Sequence, residues 1–330
     1  LFRFDETEFT EETALMVTES NEIGYFEFDN VPAGNFLVRE IASPEAFVLT
    51  EEIFPVEITE DGQTIEITIE NQIIKGTAET IKVDADYPDH KLSGAVFEVY
   101  ADVDNNGEFN ADIDKLAGEM TETEPGLYQM KDLVYRNYFL HEKEAPEFFE
   151  KDDGYYPFSI TENEAIVRIE TEAGEGFLNK AQTGSLKVVK TADDDKVEGR
   201  TFKISGTDFM GNAYEQEFKT DENGEINLTL RVGEYTVSEV AGEDSEKYIL
   251  PDDQTVEIKA GETTTVKMHN KLVPEVPSVP QTGDNPWMPA ILGTLAGLAV
   301  LSGGALLFLR YTGKKRKSAD QADEDQGTEE

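Results

Sequence analysis

From Leu1 to Leu272 apolar residues recur at every second position in short runs, and Gly, Asp, Asn or Pro closes each run. Segments such as Thr201-Phe202-Lys203-Ile204 and Glu234-Tyr235-Thr236-Val237-Ser238 place alternate side chains on opposite faces, the period of a half-buried strand. Long helical spacing is absent from this part of the chain. The pattern predicts an all-β protein of antiparallel sandwiches, with Val96, Phe202, Ile204, Tyr235 and Val237 facing the core. One later stretch departs from it. Trp287 to Leu309 carries no charge, and as a helix it would rise about 34 Å, enough to cross a hydrocarbon core of about 30 Å. Trp287 suits the interface at one end. The cluster of Arg310, Lys314, Lys315, Arg316 and Lys317 at the other marks the cytoplasmic side, which leaves everything before Val279 outside.

The strands follow a repeated plan. One strand ends in Glu and a later one ends in Asn: Asn35–Glu40 with Asn71, Asn137–Glu142 with Asn179, and Glu234–Glu239 with Asn270. The interval from Glu40 to Asn71 equals that from Glu239 to Asn270, and the middle copy is longer. The second and third copies also open alike, with Gly76-Thr-Ala-Glu-Thr-Ile-Lys82-Val-Asp and Gly184-Ser-Leu-Lys187-Val-Val-Lys190-Thr. A plan that recurs in order signals similar domains in series. The expected division is 1–74, 75–181 and 182–272, followed by a Pro-rich linker (273–286), a transmembrane helix (287–309) and a charged cytoplasmic tail (310–330).

On these motifs the first four-fifths of the chain resembles the Cna-B (SpaA-type) domains of Gram-positive pilins and adhesins. The resemblance implies prealbumin-like or Ig-like β-sandwiches. It also implies a self-made isopeptide bond between a first-strand lysine and a last-strand asparagine, promoted by a glutamate. By position the participants are Lys82, Glu142 and Asn179 in the second domain, and Lys190, Glu239 and Asn270 in the third. Lys187, expected on the same face of that strand, competes with Lys190, which is preferred because Lys190-Thr-Ala-Asp parallels Lys82-Val-Asp-Ala-Asp. The first domain offers Glu40 and Asn71 alone, because no lysine precedes Lys75; it is expected to lack its first strand. Burial drives an amine towards its neutral, nucleophilic form and a carboxyl towards its protonated form, so the three residue types suit the reaction.

The C-terminal segment resembles a sorting signal of the LPxTG type. Val279-Pro280-Gln281-Thr282-Gly283 precedes the apolar run and the basic cluster, in that order, with Val279 where leucine is usual. The resemblance implies cleavage by a sortase between Thr282 and Gly283. The acyl group then passes to a peptidoglycan precursor or to a neighbouring pilin, so the membrane is a partner only before sorting. The expected location is the cell wall or cell surface. Leu1-Phe2-Arg3-Phe4-Asp5 is not a secretory leader, so the chain reads as the C-terminal part of a longer precursor.

Composition narrows the picture. The chain has 330 residues, with 28 Lys and Arg against 70 Asp and Glu, a formal net charge of −42. Such a surface repels phosphate backbones and excludes nucleic acid as a partner. With no cysteine, small exported domains need a staple other than a disulfide. His90, His141 and His269 are scattered, and no spacing suggests zinc or a nucleophile with its base, so no enzyme acting on other molecules is expected. No cofactor is expected. An acidic insertion in the second domain is a candidate calcium loop: Asp102, Asp104 and Asn106 alternate before Gly107, and Asp112 and Asp114 flank Ile113 where such a loop wants a glutamate. The reading is a wall-anchored stalk or pilin. Its alternative is an adhesin that binds a host or matrix ligand through an upstream or inserted region.

Overall fold

The third domain shows most plainly why these residues make strands. In Thr183–Ala192 the side chains of Leu186, Val188 and Lys190 are buried on one face, and those between them reach towards solvent. β-Branched and apolar residues at every second position fit a pleated sheet with one covered face. The computed structural model describes residues 1–172 and 174–275. Val279 to Gly283, the apolar run and the basic cluster lie outside the described residues. Among the described residues the one helical element is a 3-10 turn at Ser245–Lys247. None of their helices is long and apolar enough to cross a membrane.

The third domain is a sandwich of two four-stranded sheets. One runs in the order Glu225–Arg231, Thr183–Ala192, Thr263–Leu272, Tyr248–Ile249; the other runs Ala213–Lys219, Thr201–Asp208, Gly233–Glu239, Gln254–Ile258. Between them lie Leu186, Val188, Phe202, Ile204, Tyr235, Val237, Val266 and Met268. The second domain repeats the plan. Its sheets are Ile166–Arg168, Lys75–Asp84, Leu127–Val134, Thr121–Glu124, with Phe177–Asn179 also on Lys75–Asp84, and Tyr155–Ile160, Arg136–Glu144, Val96–Ala101, Lys115–Glu119. Phe97, Val99, Tyr128, Leu140, Ile160 and Phe177 fill its core. The first domain has a three-stranded sheet of Phe2–Arg3, Gly34–Val38 and Phe54–Ile58, and a pair of Phe47–Val48 with Gln72–Ile73.

In each of the last two domains the first strand is a parallel neighbour of the last: Lys75–Asp84 with Phe177–Asn179, and Thr183–Ala192 with Thr263–Leu272. The core expectation holds for Phe202, Ile204, Tyr235 and Val237 but not for Val96, which is half-buried beside fully buried Phe97 and Val99. Val96-Phe97-Glu98-Val99-Tyr100-Ala101 carries apolar residues in both phases, so alternation alone does not fix which face turns inward.

Candidate functional site

The parallel pairing sets the site. Asn179 lies opposite Asp84, two positions beyond Lys82, and Asn270 lies opposite Ala192, two positions beyond Lys190. A two-residue offset returns to the same face of a strand, so lysine and asparagine both point inward in each domain. Glu142 and Glu239 come from the facing sheet, opposite Phe97 and Phe202 respectively.

In the second domain Lys82 and Glu142 are fully buried and Asn179 is 2% exposed. Lys82 Nζ lies 3.6 Å from Glu142 Oε1 and donates to the Phe177 carbonyl at 3.0 Å. Asn179 Nδ2 donates to both Glu142 oxygens at 2.9 Å. The Asp152 amide holds Glu142 Oε2 from the other side at 2.8 Å. Desolvation lowers the Lys82 pKa from its ordinary 10.5 to about 8, against the opposing pull of Glu142.

The third domain repeats the arrangement. Lys190 Nζ pairs with Glu239 Oε2 at 2.8 Å, and Asn270 Nδ2 donates to Glu239 Oε1 at 2.8 Å. Burial again pushes the lysine pKa down, with Glu239 opposing. Lys187 takes no part: it sits three positions from Lys190, on the opposite face, partly exposed and paired with Glu225 at 2.7 Å. In the first domain Asn71 Nδ2 donates to Glu40 Oε1 at 2.8 Å, and the Thr50 amide donates to Glu40 Oε2 at 3.3 Å. The Glu–Asn pair is thus present in all three domains, and the lysine in two.

One feature recurs at every copy. The amide oxygens of Asn71, Asn179 and Asn270 are buried without a hydrogen-bond partner. An unsatisfied buried acceptor costs about 1–3 kcal/mol, so each amide is held in an unfavourable state beside a carboxylate that faces its nitrogen. Sequence reasoning also missed two residues. The Lys82 amide donates to the Gly126 carbonyl and the Lys190 amide to the Gly224 carbonyl, each at 2.8 Å. Both glycines have positive φ, and a Cβ on Gly224 would lie 2.7 Å from the Lys190 carbonyl oxygen. A glycine turn therefore clamps the backbone of each lysine. Only the shared Gly at a turn was visible in the sequence.

The acidic insertion is the other cluster. Asp102, Asp104 and Asp114 each offer an oxygen within 4.8 Å of the others. Asp112 is not among them; its amide donates to Asn110 Oδ1. Asn106 Nδ2 donates to Asp104 Oδ2 at 3.0 Å.

Sandwiches in series, two of them closing on a buried Lys, Glu and Asn, define a protein of tandem prealbumin-like domains. The chain belongs to the family described as SpaA, prealbumin-like fold domain, which matches residues 4–73, 76–175 and 184–272. Among solved structures, the Bacillus anthracis TIE protein is similar at 26% identity and a TM-score of 0.58, over 77% of this chain and 45% of that one. The chain thus spans less than half the length of that relative. The Streptococcal ancillary pilin is 18% identical over 74% of this chain and 77% of that one, with a TM-score of 0.27. The shaft pilin SpaA from Lactobacillus rhamnosus GG is 14% identical over 62% of this chain and 99% of that one, with a TM-score of 0.26. No curated protein matches the chain.

Proposed function

We propose that the chain is a pilin-type structural protein of the Gram-positive cell surface, stiffened by Lys82–Asn179 and Lys190–Asn270 isopeptide bonds. The observation that carries this is the recurrence of one buried Lys–Glu–Asn geometry, at the same parallel register, in two domains. The neutral lysine amine attacks Cγ of the asparagine. The Nζ–Cγ bond forms as Cγ–Nδ2 breaks, and a proton from Nζ passes through the glutamate to the departing nitrogen, which leaves as ammonia. Strand pairing already holds the reactants together, which replaces a bimolecular encounter. No other molecule is consumed, and the protein performs no chemistry on other substrates.

The bond joins two adjacent parallel strands that receive and pass on the load when the domain is pulled from its ends. Tension therefore crosses the link without reaching the strands between. In the same reading a sortase cuts between Thr282 and Gly283, within Val279-Pro280-Gln281-Thr282-Gly283, and joins Thr282 to peptidoglycan or to a neighbouring pilin.

Intact mass tests the cross-links. The folded chain is expected to be lighter than its calculated mass by two ammonia molecules. Lys82→Ala and Lys190→Ala should each be lighter by one, and the double variant by none. A full calculated mass for the unaltered chain sinks the proposal. Wall digests that yield a peptidoglycan peptide ending at Thr282 test the anchoring separately.

A further inference from the structure

We propose that the insertion Asp102–Asp114 of the second domain is a calcium site whose carboxylates are Asp102, Asp104 and Asp114. It stands whether or not the cross-links form. Asp102 directly follows the strand Val96–Ala101 and Asp114 directly precedes Lys115–Glu119, which pairs with it. The paired strands thus fix two carboxylates at the mouth of one hairpin loop, and both are buried, at 1% and 4% exposure. Asp104 joins them from the exposed part of the loop. Their separation within 4.8 Å fits the roughly 5 Å span of a calcium coordination shell.

The second observation is a missing partner. Asp102 Oδ2 accepts the Gly107 amide at 3.0 Å, but Asp102 Oδ1 is buried and has no hydrogen-bond partner. Among the described residues no ion pair involves Asp102, Asp104 or Asp114. A buried carboxylate with an idle oxygen, set beside two more negative charges, is costly until a cation enters. The loop is already wrapped around the place. Asp114 accepts the Val103 amide on Oδ1 at 3.0 Å and the Asn110 amide on Oδ2 at 2.7 Å. Each carboxylate oxygen keeps a further lone pair for a metal. All the donors are hard oxygens, with no nitrogen or sulfur ligand, which favours calcium over a transition metal. Asp114 supplies the closing carboxylate one residue after Ile113, because the strand that begins at Lys115 turns it inward.

Calcium titration by calorimetry on the full chain in detergent, after chelator treatment, tests this. One saturable site is expected, with a Kd of roughly 10⁻⁴ to 10⁻³ M, the range of extracellular modules. Asp104→Asn changes an exposed residue and should fold normally while weakening binding at least tenfold. Asp102→Asn should abolish it. Hydrogen exchange at the Gly107 and Asn110 amides should slow when calcium is added. The idea fails if no saturable heat appears at millimolar calcium. It fails equally if Asp104→Asn binds as tightly as the unaltered chain, because the metal then sits elsewhere on the acidic surface.

Discussion

Burial prepares the Lys82 amine for the proposed reaction. With its pKa lowered from 10.5 to about 8, Lys82 holds the neutral amine at pH 7 far more often than an exposed lysine would. The rate of ammonia loss in the second domain should therefore climb about tenfold per pH unit below 8 and level off above it. Mass spectra taken at intervals after refolding would record this; a rate independent of pH between 6 and 8 contradicts it. The same shift governs the unlinked form. Between about pH 8 and 10.5 the unfolded chain holds a proton that the folded chain has released, so stability of the unlinked fold rises with pH across that window and gains nothing further above it.

The proposed bond between first and last strands would close a loop that contains almost the whole domain. For a loop of about 100 residues the chain-entropy model gives about 4–5 kcal/mol. Lys82→Met keeps the buried stem and removes the amine, so it should leave the fold intact and lower the melting temperature of the second domain by roughly 20 °C. A scanning-calorimetry shift under about 5 °C would show that the cross-link adds little. The elements carrying this link were legible because alternation marks strands and the plan repeats: Lys82, Glu142 and Asn179 could be read against Lys190, Glu239 and Asn270. Other features were not legible. Val96 was misplaced because its strand is apolar in both phases. The clamping roles of Gly126 and Gly224 arise only when a distant turn meets the lysine backbone. The orphaned asparagine oxygens exist only once two sheets have closed over them.

Between the second and third domains Phe209 packs against Phe148 and Phe149, and one cation bridges carboxylates on both sides. Arg231 of the third domain pairs with Asp208 of its own domain at 2.8 Å and with buried Asp84 of the second, under the rings of Tyr87, Phe149 and Phe209. The Gln182 backbone completes the joint, donating to the Phe148 carbonyl and accepting from the Val232 amide. No sequence pattern links Arg231 to Asp84, which lie 147 positions apart. Arg231→Ala leaves Asp84 and Asp208 without their cation. Hydrogen exchange at Gln182 and Val232 should then quicken more than tenfold, while the intact mass still shows both ammonia losses. Unchanged exchange would mean that the backbone contacts suffice.

The order of the three residues proposed to react also sets a clock. In the second and third domains the amine comes first along the chain, the carboxyl next, and the amide almost last. A chain threaded through an export channel cannot weld itself while its final strand is still inside. Once that strand arrives, the proposed reaction needs no helper on the far side, because all three groups are already in the chain. In the proposed reaction export comes first and closure second, and the released ammonia, protonated and diluted in the surrounding water, makes closure irreversible.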